Sequence, residues 1–413
     1  MFSYYIGSDS MPVNSGSDIW VHPFPKQRNC TQIDTYNSSD YFPFTYGDYF
    51  LAITQCLQKK NFSDLLDALY ISTMIRFTLD AIHHIDIYLE KHGRLYHPAR
   101  VKLIVTGHEM TFALNVACSS ETIQCLKQEY EVLKQLMNQR AILSKKKDLP
   151  CVYWQSDHFL HETYPISMFL AEWFDGYHEF HMSNPLFPSP QPSPNEGEGV
   201  KDAENLNTKP ILVWDTINGN VVLNSDQVLD MYRQCAYILT MYYHIDTCSQ
   251  IYPWHHAAGD FVIKILDTST VSVKLITARN YGPILSCATI TNDIRIEALL
   301  FFLINLSIRM RLDRINGIED IDWADNDALK GTIQGFFDAL IDKQTEIHSL
   351  ELTIQDIKNF FLSCCDVNYL YEMTTDILNS YHPNAPDIAV IKKHMHAHLL
   401  VLSELLICYS TNN

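Results

Sequence analysis

The spacing of apolar residues changes period several times along the chain, and each change marks a change of element. Over residues 45–93, Leu51, Leu57, Leu65, Leu69, Met74, Phe77, Leu79, Ile82 and Ile85 recur at near-helical spacing and predict helices. The period then drops to two. Residues 101–106 (VKLIVT) and 111–117 (TFALNVA) are β-type runs joined by Gly107-His108-Glu109, which predicts a hairpin. Ser119 and Ser120 follow as caps of a helix whose Ile123, Leu126, Tyr130, Leu133 and Met137 form one apolar stripe. Two further strands are expected at 151–154 and 166–173.

Residues 184–210 break the pattern, with six prolines among Ser, Glu and Asn, and predict a flexible surface insertion. Its PSPQPSPNEGEG run resembles the translated palindromic repeats scattered through some bacterial genomes. Beyond it, residues 211–215 and 221–223 flank a turn at Asn218-Gly219. A helix is expected from 226 to about 244, then strands at 261–266 and 271–277. Helices are expected at 296–312, 326–343, 353–364, 368–380 and 387–409. The polar, Ser/Asn-rich residues 1–40 predict a poorly ordered tip.

Charge and composition remove several classes of function. Among 413 residues, 30 Lys and Arg face 48 Asp and Glu, a net charge of −18, which opposes nucleic-acid binding. Glycine, at 14 residues, is about half the usual share, which disfavours Gly-rich phosphate loops. The most apolar run, 296–306, is too short to cross a bilayer and is closed off by Arg309 and Arg311, so no membrane partner is expected. The opening residues lack the basic and apolar regions of a signal peptide. Eleven cysteines without a C-x-x-C pair predict free thiols and a cytoplasmic protein.

The order of elements carries the most information: hairpin, helix, two strands, connector, long helix, the loop Trp254-His255-His256-Ala257-Ala258-Gly259-Asp260-Phe261, two short strands, then helices. Over residues 100–345 this resembles the protein-kinase-like and aminoglycoside-phosphotransferase-like folds. The resemblance implies an α+β, bilobal protein. Its parts would be a tail and helical extension (1–99), a small β-rich lobe (100–183), the Pro-rich insertion (184–210) and a helical large lobe (211–413) with a catalytic-type loop at 252–261. It places Asn115 where the family has a phosphate-binding Lys, and Glu129 where a Glu holds that Lys, with Lys102 as a substitute cation for Glu129. Glu172 and Trp173 fall at the hinge, where an adenine edge is read, and Asp260 at the catalytic carboxylate. The family's metal-binding Asn is missing after Asp260. Its second metal ligand is replaced by a stretch holding Thr277, Arg279 and Asn280.

Phosphoryl transfer depends on metal ions and cations to stabilise charge, so these losses together predict a degenerate, pseudokinase-type protein. It would bind a nucleotide or other small ligand in an interlobe cleft, in a regulatory role. The cofactor is left open: ATP is the candidate the resemblance offers, and the lost ligands argue against Mg²⁺. Two alternatives stand beside it. One is an atypical small-molecule phosphotransferase using Asp260 as base, with a metal held by Glu129 or by another acidic group. The other is a module that recruits protein partners. His255 and His256 fit an acid/base pair with Asp260, a metal site or a hydrogen-bonded turn. His178 with His181 has metal-ligand spacing only on a helix, and His394 with His398 shares one face of the expected last helix. Arg309, Arg311 and Arg314, with Asp313, fit either helix-terminal charges or a ligand cleft. No H-E-x-x-H, G-x-S-x-G or Walker motif occurs.

Overall fold

The computed structural model describes residues 2–7, 11–26, 40–93, 95–143, 147–184, 209–215, 218–254, 256–283 and 290–411, with side chains left aside at 140–143. The protein is α+β. It divides into two compact units, Met1–Asn138 with Pro150–Asp175, and Gln139–Leu149 with Gly176–Asn413.

The first unit opens with strand β1 (Phe2–Ile6), a two-stranded pair of β2 (Pro23–Pro25) and β3 (Tyr41–Thr45), and helices α1 (Tyr46–Gln58) and α2 (Ser63–Thr73). A capping box starts α1: Asp48 N donates to Thr45 Oγ1 at 3.2 Å while Thr45 N donates to Asp48 Oδ2 at 2.8 Å. Then come β4 (Ile82–Leu89), β5 (Ala99–Val105), β6 (His108–Ala117), α3 (Ser120–Leu143), β7 (Val152–Leu160) and β8 (Tyr164–Glu172). The expected 101–117 hairpin is present, turning at Thr106-Gly107 with Gly107 at φ 76°. Ser119 caps α3, its Oγ accepting from Thr122 N at 3.3 Å.

Two expectations fail here. Residues 82–89 form a strand, not a helix. A bulge lets Ile82 and His84 oppose Val105 and Ile104, so Ile82 and Ile85 face the core three residues apart and imitate a helical period. Residues 2–6, expected to be poorly ordered, pair in parallel with β4. One mixed sheet results, ordered β1-β4-β5-β6-β8-β7, and it draws strands from both sides of residue 99.

One face of that sheet carries Ile85, Ile87, Leu89, Val101, Leu103, Leu114 and Leu170, all buried in a core shared with Tyr49, Phe50 and Ile53 of α1. Beside it sits a histidine pair. His92 Nδ1 lies 3.2 Å from His97 Nδ1, and Phe24 stands edge-on to both rings. Burial holds His92 down to about 4 and His97 to about 3, so both stay neutral.

The second unit has a small sheet ordered β11-β10-β9, from β9 (Phe180–Met182), β10 (Ile211–Val213) and β11 (Val221–Val222). The expected insertion joins β9 to β10; its residues 185–208 lie outside the described residues. Helix α4 (Ser225–Met241) precedes β12 (Ser249–Ile251), the single turn α5 (Ala257–Asp260), the hairpin β13 (Phe261–Ile265) and β14 (Val271–Leu275), and β15 (Tyr281–Pro283). The rest is nearly all helical, as its periodicity predicts: α6 (Asn292–Arg309), α7 (Asn326–Asp342), α8 (Gln344–Ser349), α9 (Ile354–Ser363), α10 (Val367–Asn379) and α11 (Asp387–Thr411). A short hairpin, β16 (Leu312–Arg314) and β17 (Ile321–Trp323), separates α6 from α7.

Two glycines allow α4 and α7 to approach closely. A Cβ on Gly335 would lie 1.9 Å from the Arg233 carbonyl oxygen, and one on Gly331 would lie 2.6 Å from that of Leu229. Among the described residues, no helix is long and apolar enough to cross a membrane.

Candidate functional site

The loop after β12 is built into the interior of the second unit. Trp254, His256, Ala257 and Ala258 are buried, and Asp260 is 0% exposed. The tight β13–β14 hairpin sets Phe261 opposite Leu275, which brings Asp260 beside the residues that follow β14. Ile276 N donates to the Asp260 carbonyl at 2.9 Å. Arg279 then meets the carboxylate end-on as a bidentate fork, Nη1 donating to Oδ2 at 2.9 Å and Nη2 to Oδ1 at 2.7 Å. Such a fork is a strong, geometrically specific ion pair. Asp260 and Arg279, both expected at the site, are thus brought together as partners.

His256 is held differently. Its Nε2 lies 3.6 Å from Asp387 Oδ1, at the start of α11. His255 lies outside the described residues. Arg309, at the end of α6, donates from Nη1 to the Trp254 carbonyl at 3.1 Å and packs its guanidinium over Tyr252 and Tyr381. Arg279, Arg309 and Asp387 therefore bind the loop from three directions.

The other basic residues of this stretch do similar work. Arg311 donates from Nε and Nη2 to the Ala324 carbonyl at 2.9 and 2.7 Å, and Arg314 Nη1 donates to the Glu319 carbonyl at 2.9 Å. Burial lowers Arg311 to about 10. Its Nη1 reaches His398 Nδ1 at 3.5 Å, which leaves His398 Nε2 to donate to Ser307 Oγ at 3.0 Å. Burial, with Arg311 beside it, pushes His398 down to about 3. His394 stacks flat on Trp323. Neither histidine pair with metal spacing gathers on one point: His178 faces Asp215 at 3.7 Å, whereas His181 meets Asp313 at 3.1 Å. His178 bridges Ile263 and His181 lies on β9, so the helical condition on their spacing is not met. Among the described residues, no three His, Cys, Asp or Glu side chains gather to hold a metal.

The remaining candidates belong to the first unit. Its sheet has a second face, turned away from the core. Asn115 lies on that face opposite Phe169, and the Phe169 ring is 5.9 Å from Tyr130 of α3. Glu129, next to Tyr130, is buried on α3. The expected substitution of Lys102 for a missing lysine is not found. Lys102 pairs with Glu109 at 2.8 Å, and it sits opposite Thr111, four residues along β6 from Asn115. Glu172 and Trp173 are adjacent and so project to opposite faces. Glu172 Oε2 accepts from Cys151 N at 3.2 Å and ties β7 to the end of β8. Trp173 faces Arg100, whose guanidinium lies 5.7 Å from the indole ring and 4.1 Å from that of Tyr88. Tyr88 stacks in turn on Tyr5 at 4.4 Å. Tyr5 and Tyr88 escaped the sequence reading because β1 and β4 did, and Arg100 because β5 begins at Ala99, ahead of the run expected from 101. The signal was the alternation around Ile87-Tyr88-Leu89, hidden by the bulge before it.

No family model and no curated protein matches the chain. Among solved structures, one described as "WaaP in complex with acyl carrier protein" is similar to 62% of this chain and 82% of that chain, at 9% identity and a TM-score of 0.24. A likeness that distant carries no argument about activity.

Proposed function

We propose that the chain is a degenerate, kinase-like protein that binds a nucleotide or similar small ligand without transferring phosphate, in a regulatory role. The order of elements supports the kinase-like part. A three-strand meander (β4-β5-β6) and a strand pair (β7-β8), joined by a helix, share one sheet, and a long helix, a short loop, a hairpin and a run of helices follow. The observation that carries the non-catalytic part is the Asp260–Arg279 fork. A catalytic carboxylate needs an oxygen directed at the attacking hydroxyl. Both oxygens of Asp260 are directed at a guanidinium, inside a carboxylate site closed to solvent. Asn115 adds no charge where the family has its lysine.

The phosphotransferase alternative, with Asp260 as base, would need that fork to open. The experiment is an ATP turnover assay with Mg²⁺ over a panel of small-molecule and protein acceptors, beside calorimetric titration with ATP. The expected result is ligand binding without turnover. Turnover that Asp260→Asn abolishes would overturn the proposal, and a chain that binds no nucleotide would leave only the protein-recruitment reading.

A further inference from the structure

We propose that α11 is the surface through which two copies of this chain pair, their α11 helices lying antiparallel across a two-fold axis. The inward side of α11 is spent on its own unit, with Ile391, Met395, His398, Leu399, Leu402 and Leu406 buried. Apolar residues continue onto the outward side, where Leu400 is 43% and Ile407 44% exposed. A helix that is apolar nearly all round is ordinarily covered on both sides. One outward line runs Ala389, Lys393, Ala397, Leu400, Glu404, Cys408, and every member of it is exposed.

The steps along that line are four, four, three, four and four residues, the same in either direction. A second copy turned about a two-fold axis between Ala397 and Leu400 therefore matches it position for position. Ala389 faces Cys408, Lys393 faces Glu404 and Ala397 faces Leu400, each pairing made twice. The two alanines leave room for the helix axes to approach to about 8–10 Å. Charge fixes the direction. Lys393 and Glu404 lie about 16 Å apart along one helix, too far to pair with each other. Neither has a hydrogen-bond or ion-pair partner among the described residues. Lys209, a charge of its own sign, lies within electrostatic reach of Lys393. The antiparallel arrangement gives each a partner of opposite charge, whereas a parallel one would set lysine on lysine and glutamate on glutamate. The contact is one helix wide and about 30 Å long. That is at the low end of interface sizes, so the pairing is weak, with a dissociation constant on the order of 10–100 μM.

The test is sedimentation velocity of the full chain at concentrations either side of that value, with melting temperatures to show that each variant folds. The wild type should pass from monomer to dimer. Lys393→Glu and Glu404→Lys each set like charges face to face and should weaken the dimer about tenfold or more. The chain carrying both exchanges restores the opposite charges and should return to within about threefold of the wild type. Register is read separately: in a glutathione redox buffer, Ala389→Cys should give a disulfide-linked dimer that Ala389→Cys/Cys408→Ser does not. A wild type that stays monomeric throughout would overturn the proposal. So would a double exchange that fails to restore pairing, or a covalent dimer equally abundant without Cys408. Oxidation that links Cys408 of wild-type copies as readily as it links the Ala389→Cys variant would point to the parallel arrangement and overturn it too.

Discussion

The two units treat their charged side chains in opposite ways. In the second, Asp260, Arg309 and Arg311 around the Trp254–Asp260 stretch are buried and Arg279 is half-buried: Asp260 takes Arg279, Arg309 takes the Trp254 carbonyl, and Arg311 takes that of Ala324. In the first, Arg100 and Lys102 stay on a half-buried sheet face, each beside a carboxylate of the same sheet or its flank. The lesson is that a loop whose charges are enclosed and matched serves as a structural joint. More solvated pairs on a half-buried sheet face hold less of the structure in place.

The sharpest way to break this contrast is to remove one partner on each side. Arg279→Met strips the fork from an enclosed carboxylate and should cost about 3–5 kcal/mol, read as the urea midpoint of the second unit. A loss below about 1 kcal/mol would mean that the fork is not what holds the loop. Gly335→Ala drives a methyl group into the Arg233 carbonyl and should cost about 1–3 kcal/mol or more, with Gly331→Ala milder because its clash is shallower. Thermal melts of the two variants give that order directly.

Acid should act on both units, more steeply on the first. His92 and His97 there, and His398 in the second, are held below the ordinary histidine value of 6.5 by burial. The unfolded chain takes up these protons first, so stability is full above about pH 6.5 and falls as pH drops towards the folded values. Each ring contributes up to about 1.4 kcal/mol per pH unit. Urea midpoints between pH 7 and 5, above most carboxylate titration, should fall. Replacing His92 and His97 together by Gln should flatten the dependence more than His398→Gln does. The smallest effect is expected at the exposed Lys127–Asp157 pair, where Lys127→Ala should change stability by less than about 1 kcal/mol.

How much of this could be read from the sequence depended on how local the cause was. The 101–117 hairpin and the helices after residue 292 follow from runs of one period, so their positions were legible to within a few residues. The strand at 82–89 was not, because one inserted residue shifts the phase of its alternation and imitates a helix. Nor was β1, whose partner is far along the chain. At the site, Asp260 and Arg279 were each singled out by comparison with a family pattern. Their mutual bond depends on the β13–β14 register, which no spacing rule supplies. The fates of Arg309 and Arg311 were illegible for the same reason, since their acceptors are backbone carbonyls of distant loops.

The parallel strand at the start of the chain imposes an order of events. Phe2 finds its place only opposite Ile85, so a nascent chain presents FSYYI to the surroundings throughout synthesis of α1 and α2. For that interval an alternating, uncharged segment has an unclaimed backbone edge, the condition under which chains zip to one another. Yield at high expression should therefore be set by how soon that edge is claimed, more than by how stable the finished protein is.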